Sequence, residues 1–466
     1  MTLRPRLAEH ALLRRHVVDG KDVVVIHHAL TGALVTLDER AATFVGCADG
    51  TRDLDGITLA VARAGMFERQ SEIEAVFAAL DEHGLLAEGI EPGPVMLRSA
   101  EQWMTPAEPV RADVPIEALS GYRFRCDGVG ACCSQYATIA LSNEDLRRAR
   151  HVGMRTLPGD EDARRVVLPL YGGVRTERVA MTLVDGRCLQ LDDDRRCGLH
   201  VRGGEAAKPT ACRMYPATIA DIGTALRASV AVECDCTISS LNVAPEEGAP
   251  IVPETMRHAG DLPLGIAVRV VADPVALMSA SPNAPSRFGP RAEVVAWIDR
   301  VLDEGFGDDA INACVVLARA LESGDALVSV PTFAPIGADE LAGELEGAVA
   351  AIARDMTGAA QAADAWRSER DRTRRLRRAI ASAASAVLDR GLADTLLAPD
   401  AAMLRAELFA LRAALFGMHV LTAGRPAAAA LRELAGRFVV ARELAIVGSK
   451  ELGHPLAAVM ASIRGA

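Results

Sequence analysis

The chain has 466 residues and a formal charge of −11, with a pI near 5.5. That length exceeds one ordinary core, so two or three domains are expected. The acidic balance argues against a general nucleic-acid binder, which needs a net basic face to displace phosphate counterions. The first twenty residues hold no continuous apolar run, and no later stretch of about 18 apolar residues escapes charge, so neither a secretion signal nor a membrane span is expected. The expected compartment is the cytoplasm, where clustered thiols serve as metal ligands or redox groups more often than as disulfides.

Residues 1–95 read as a small α+β unit. Val23–Ile26 and Ala33–Leu37 flank Thr31-Gly32 and predict a β-hairpin. Helical patterns follow, the last with Ser71 as N-cap and Glu74 at the third helical position, then Ile73, Val76, Phe77 and Leu80 on one face up to Gly84. This order, with Leu37-Asp38, Ala48-Asp49-Gly50-Thr51 and His83-Gly84-Leu85-Leu86, resembles PqqD-like domains. The resemblance implies a winged-helix element that recruits a peptide or protein substrate. Strand addition at the hairpin edge would supply main-chain hydrogen bonds with little demand on sequence.

Residues 96–120 read as a linker, within a stretch that carries Pro92, Pro94, Pro106, Pro109 and Pro115. Residues 121–250 read as a cysteine-rich domain of irregular structure. In it Ser142 and Asp145 predict a capping box opening a helix through Arg150, and Arg178–Val184 and Ala225–Val232 predict strands. Residues 285–466 read as an all-helical domain. Apolar positions recur at three-to-four spacing from Val294, from Ile311 and from Leu341, and further helices are expected over 364–390, 400–422 and 426–447. The fold class expected is α+β: a small winged-helix-like N-terminal domain, an irregular cysteine-rich metal-binding centre and an all-helical C-terminal domain.

Eight of the ten cysteines lie between residues 126 and 236: Cys126, Cys132, Cys133, Cys188, Cys197, Cys212, Cys234 and Cys236, with His200 three residues after Cys197. Thiolates are soft, charged donors for zinc and iron, and three or four must converge on one ion to offset desolvation and chain ordering. Gly128 and Gly130 allow a tight turn between Cys126 and the Cys132-Cys133 pair. Adjacent side chains diverge in extended backbone, so that pair points either to two centres or to one ligand plus one packing thiol. Cys188 and Cys197 flank a hairpin expected at Leu189–Asp194, whose turn would bring both thiols to one end. Imidazole either binds metal or hydrogen-bonds beside it, and both roles stay open for His200.

The ordered set Cys126-x5-Cys132-Cys133, Cys188-x-x-Leu191-Asp192, Cys197-Gly198-Leu199-His200, Lys208-Pro209 and Cys212-Arg213-x-x-Pro216 resembles the YkgJ family of cysteine-cluster proteins. That family comprises zinc- or iron-chelating domains and is related to flagellin lysine N-methylases. Many of its members carry further cysteines before the Cys-Cys pair, whereas Asp127–Ala131 holds none; Cys234 and Cys236 would supply the missing ligands. The resemblance implies an iron–sulfur cluster, preferably [4Fe–4S], or zinc, and S-adenosylmethionine if the chain is a methylase. Two functions are therefore expected in competition. One is a metal-cluster enzyme that modifies a peptide or protein, such as a lysine N-methylase. The other is a non-catalytic zinc-stabilised adaptor or metal-handling protein.

Cys47 and Cys314 sit in apolar helical contexts and read as buried small hydrophobes. Lys208 and Arg213 are either solvated or paired with a thiolate cluster. The arginines from Arg367 to Arg378, interrupted by Glu369 and Asp371, read as a solvated, salt-bridged helix, with an anion site as the competing reading. His419 and His454 receive no role. Walker A, His-Glu-x-x-His, Gly-x-Ser-x-Gly and Cys-x3-Cys-x2-Cys are all absent.

Overall fold

The computed structural model describes residues 4–86, 112–126, 139–157, 166–262, 268–279, 286–323, 327–364, 372–396, 400–421, 426–447 and 454–464, apart from 9–10, 19, 29–33, 49, 51, 64, 84, 173, 185–186 and 195. Three strands open the chain, β1 (Ala11–Val18), β2 (Lys21–His28) and β3 (Leu34–Leu37). Helices α1 (Glu39–Gly46), α2 (Leu54–Arg63) and α3 (Gln70–Glu82) follow. The β2–β3 hairpin forms as expected. The capping box at Ser71 does not. Helix α3 starts one residue earlier, from Arg69 in extended backbone without a side-chain cap, and Glu74 accepts a hydrogen bond from Gln70 Nε2 at 3.2 Å instead. Burial of Ile73, Phe77 and Leu80 against the hairpin sets the helix register, and the cap does not.

Strand β1 was not evident from residue pattern. It pairs with β2 along its full length and also crosses to later parts of the chain, placing Leu13 opposite Tyr171, His16 opposite Leu183 and Val17 opposite Val184. The middle segment supplies β4 (Ile116–Ala118), β5 (Ala140–Leu141), helix α4 (Asn143–His151), β6 (Val167–Gly172), β7 (Val174–Met181), β8 (Leu183–Val184) and β9 (Arg187–Cys188). One sheet results, in the order β3-β2-β1-β6-β7-β5, with β8 and β9 attached beside β1. The N-terminal strands and the cysteine-bearing segment thus share backbone hydrogen bonds.

Two short helices come next, α5 (Gly198–Gly203) and α6 (Thr210–Met214), then β10 (Ala217–Asp221), β11 (Leu226–Val230) and the five-residue α7 (Asp235–Ser239). Strand β12 (Val268–Val270) completes a second sheet, ordered β12-β10-β11-β4, and β13 (Val275–Met278) pairs with β14 (Arg287–Gly289). The remainder is helical, as the periodicity predicts: α8 (Arg291–Glu304), α9 (Ala310–Ser323), α10 (Ala338–Asp364), α11 (Arg372–Arg390), α12 (Leu392–Thr395), α13 (Ala401–Phe416), α14 (Ala427–Val447) and α15 (Pro455–Arg464).

The largest core joins the second sheet to these helices. It runs from Val114 through Leu226, Val230 and Ile238 to Trp297, Phe438 and Val459. Each such side chain, fully buried, contributes about 1.5–3 kcal/mol by leaving water. Alanines along α9, α13 and α14 let the helix axes approach closely, and Ser229 Oγ of β11 donates to the Ala413 carbonyl of α13 at 2.7 Å. Separate small cores lie under the N-terminal helices and under β5–β9. No helix among the described residues is long and apolar enough to cross a membrane.

Candidate metal centre

The described cysteines of the 126–236 segment fall into two groups. Cys126 is exposed at the end of the strand-like run that begins at β4. The peptide before it is fixed to α7: Arg125 N donates to Ser240 Oγ at 3.0 Å, and Ser240 Oγ bonds in turn to the Cys236 carbonyl. Cys234 is the N-cap of α7, Cys236 lies in its first turn, and both are buried. Tyr122, buried beside them, donates its hydroxyl to the Thr237 carbonyl at 3.0 Å. Burial pushes the Tyr122 phenol well up, and the neighbouring Cys234 and Cys236 push it further. Cys126, Cys234 and Cys236 are therefore carried by one interlocked turn.

The second group is built around Leu191. Cys188 pairs with Leu183 across β8 and β9, and its carbonyl accepts from Leu191 N at 2.9 Å. Cys197 forms the bridge opposite Leu191, and Asp192 N donates to the Arg196 carbonyl at 2.9 Å. The expected hairpin is thus shifted, with Leu191 rather than Cys188 facing Cys197. A turn closed by the Leu191–Cys188 hydrogen bond comes first, and both cysteines end up beside the same residue. Cys188 belongs to the small core of Leu141, Met181 and Leu183, against which Cys212 also packs. Cys197 packs against Ala149, Leu199 and Ala207 next to it. His200 lies in α5, one turn beyond Cys197.

The two groups are connected through the backbone. Ala231 N donates to the Pro216 carbonyl at 2.8 Å, tying the exit of the Cys212 helix to the turn that carries Cys234. Cys132 and Cys133 lie outside the described residues. Among the described residues no three cysteine, histidine, aspartate or glutamate side chains stand in the arrangement of a metal site. No disulfide links the described cysteines to one another.

Polar residues that spacing did not single out hold this scaffold. Helix α4 opens on the capping box expected at Ser142: Asp145 N donates to Ser142 Oγ at 3.1 Å and Ser142 N to Asp145 Oδ2 at 3.1 Å. The same carboxylate reaches α6, where its Oδ1 accepts from Thr210 N at 3.0 Å and from Thr210 Oγ1 at 2.8 Å. Burial opposes ionisation of Asp145, but the hydrogen bonds from Thr210 and Ser142 outweigh it and hold the carboxyl below its ordinary value. Gln190, fully buried, accepts from Arg155 N at 2.8 Å and donates to the Arg155 carbonyl at 3.0 Å, fixing the loop between Cys188 and Cys197. A Cβ on Gly198 would come within 2.9 Å of the Asp192 carboxylate, so the residue after Cys197 must be small.

Outside this region, Cys314 is buried in α9, and burial, then Glu407 and Asp309, push its thiol well up. That environment suits an inert packing thiol. Cys47 is half-buried at the C-terminus of α1 and packs on the N-terminal core. The basic run from Arg367 lies partly outside the described residues. His419 accepts from or donates to Thr218 Oγ1 at 2.9 Å, and His454 N donates to Asp235 Oδ1 at 3.1 Å, next to Cys234 and Cys236.

A segment in which thiolates, one histidine and flanking guanidinium groups are gathered by short turns has the chemistry of a chelating domain. Residues 125–236 match the family model CxxCxxCC, described as "Putative zinc- or iron-chelating domain". The match begins one residue before Cys126 and ends on Cys236, so it encloses all eight clustered cysteines and His200. No curated protein and no solved structure matches the chain.

Proposed function

We propose that residues 125–236 bind zinc or iron through cysteine thiolates, and that the chain is a metal-cluster protein acting on a peptide or protein recruited by residues 1–95. The observation that carries this reading is the match of the whole cysteine set, and nothing shorter, to a chelating-domain family. The candidate ligands are Cys126, Cys132, Cys133, Cys188, Cys197, Cys212, Cys234 and Cys236, with His200 as ligand or hydrogen-bonding neighbour. All-thiolate ligation suits either a [4Fe–4S] cluster or zinc. Bound metal would order the turns that α5, α6 and α7 are too short to hold alone.

Recruitment through a PqqD-like, winged-helix N-terminal unit is supported by the order of sheet and helices and by strand β3. Among the described residues β3 pairs with a strand on one side only, which leaves an edge for an added peptide. A methylase reading adds S-adenosylmethionine as cosubstrate, in the cytoplasm. The competing adaptor reading is favoured by the helical region, where the buried carboxylate of Glu407 is fully engaged by Arg442 in a structural ion pair.

The test begins with anaerobically purified full-length protein. A brown preparation with matched iron and sulfide supports a cluster; a colourless one with zinc supports the adaptor. Incubation with labelled S-adenosylmethionine and a lysine-containing peptide panel then separates catalysis from binding, and peptide binding without methyl transfer would remove the methylase reading.

A further inference from the structure

We propose that Arg148 and Arg213, tied together through Thr210 and Asp145, are positioning residues that set helix α6 and supply the positive lining beside Cys212. This rests on the reading of the cysteine segment as a metal site. Helix α6 has five residues, too few to persist without outside support. Its first residue, Thr210, is the junction: its N and Oγ1 donate to Asp145, and its Oγ1 accepts from Arg213 Nη2 at 3.1 Å and from Arg148 Nη2 at 3.4 Å. Arg148 also pairs with Asp145. Cys212 stands between Thr210 and Arg213 on this single turn.

Charge is unbalanced around that junction. Arg148 and Arg213 face Asp145, while the exposed Glu144 serves Arg148 at 3.5 Å and also the exposed Arg147. One positive charge is left over in this group of five. Two of the guanidinium N–H groups, Arg148 Nε and Arg213 Nε, are buried and make no hydrogen bond among the described residues. Buried donors of a cation left without acceptors are costly unless an anionic group lies close by. A metal held by three or four thiolates is such a group, because its ligands bring more negative charge than the ion neutralises. Its sulfurs would accept N–H donation, as partners outside the ligand shell commonly provide.

The test uses full-length, metal-stripped protein and cobalt(II) as the probe, followed by sulfur-to-cobalt charge-transfer absorption and by competition titration. Arg213→Gln, Arg148→Gln and Thr210→Val should each weaken cobalt affinity by about 10–100-fold and shift the charge-transfer band, with unchanged far-ultraviolet circular dichroism. Arg213→Lys and Thr210→Ser, which keep the charge and the hydroxyl, should recover most of the affinity. If Thr210→Val fails to fold, Arg213→Gln, which leaves the Asp145 clamp intact, decides. Wild-type protein that binds cobalt through thiolates while the arginine variants match it in affinity and spectrum overturns this proposal alone. Wild-type protein without a thiolate band overturns the metal reading and this proposal with it.

Discussion

Glu407 and Arg442 meet inside the helical region through two hydrogen bonds of 2.8 and 2.7 Å, with Glu407 at 0% and Arg442 at 5% exposure. Burial drives the Glu407 carboxyl up, and Arg442 only partly counters it. Replacing one partner leaves a charge without compensation, so Arg442→Met is expected to cost about 3–5 kcal/mol, read from urea denaturation. The double variant Glu407→Leu/Arg442→Met should recover most of that loss. Asp145 behaves in the opposite sense. Its folded-state carboxyl titrates below the ordinary 3.8, so the unfolded chain takes up the proton first. Its contribution is complete above the unfolded value and disappears as pH falls through the folded one. The stability gap between wild type and Asp145→Asn should therefore shrink as pH drops from about 5 to about 3; a gap that widens on acidification would contradict the clamp. The cysteines were legible in the sequence because short spacings announce themselves. Asp145 was legible only as a helix cap, since its second partner, Thr210, lies 65 residues away.

Elements were readable where local chemistry alone fixes them. The Ser142–Asp145 box closes both of its hydrogen bonds, and Ser142→Ala should cost about 1 kcal/mol. At Ser71 the same kind of pattern fails, because tertiary burial of Ile73 and Phe77 chooses the start of α3. The hairpin at 188–197 moved for a related reason: Leu191 is the buried side chain, so it takes the bridging position that spacing assigned to Cys188. Where α5 approaches the end of α4 there is no room to spare. A Cβ on Gly203 would lie 2.5 Å from Val152 Cγ1 and 2.7 Å from Ala207 Cβ. Gly203→Ala should destabilise the cysteine-bearing segment by about 1–3 kcal/mol through overpacking, with faster hydrogen exchange in residues 198–214 as the local readout.

At the scale of the molecule, the connections between segments were the least legible feature. Strand β1 carries Arg14, Arg15 and His16 in its centre, which breaks the apolar alternation that marks a strand, yet Ala11, Leu13 and Val17 are buried. Val17 enters the same small core as Cys188. Its loss should therefore be felt in the cysteine segment: Val17→Ala is expected to speed hydrogen exchange at residues 183–191, and a change confined to residues 1–86 would contradict the shared sheet. Similarly, Ile238 after the last cysteine and Trp297 of α8 belong to one core, so metal bound near α7 would be felt in the helical region.

The most direct test is X-ray absorption at the zinc and iron edges on full-length protein purified without oxygen. At least one metal ion per chain is predicted, with a nearest shell dominated by sulfur at about 2.3 Å, and with occupancy lost when Cys188, Cys212, Cys234 and Cys236 are replaced together by serine. Protein free of zinc and iron, or a metal surrounded by nitrogen and oxygen alone and retained in the serine variant, would contradict the account.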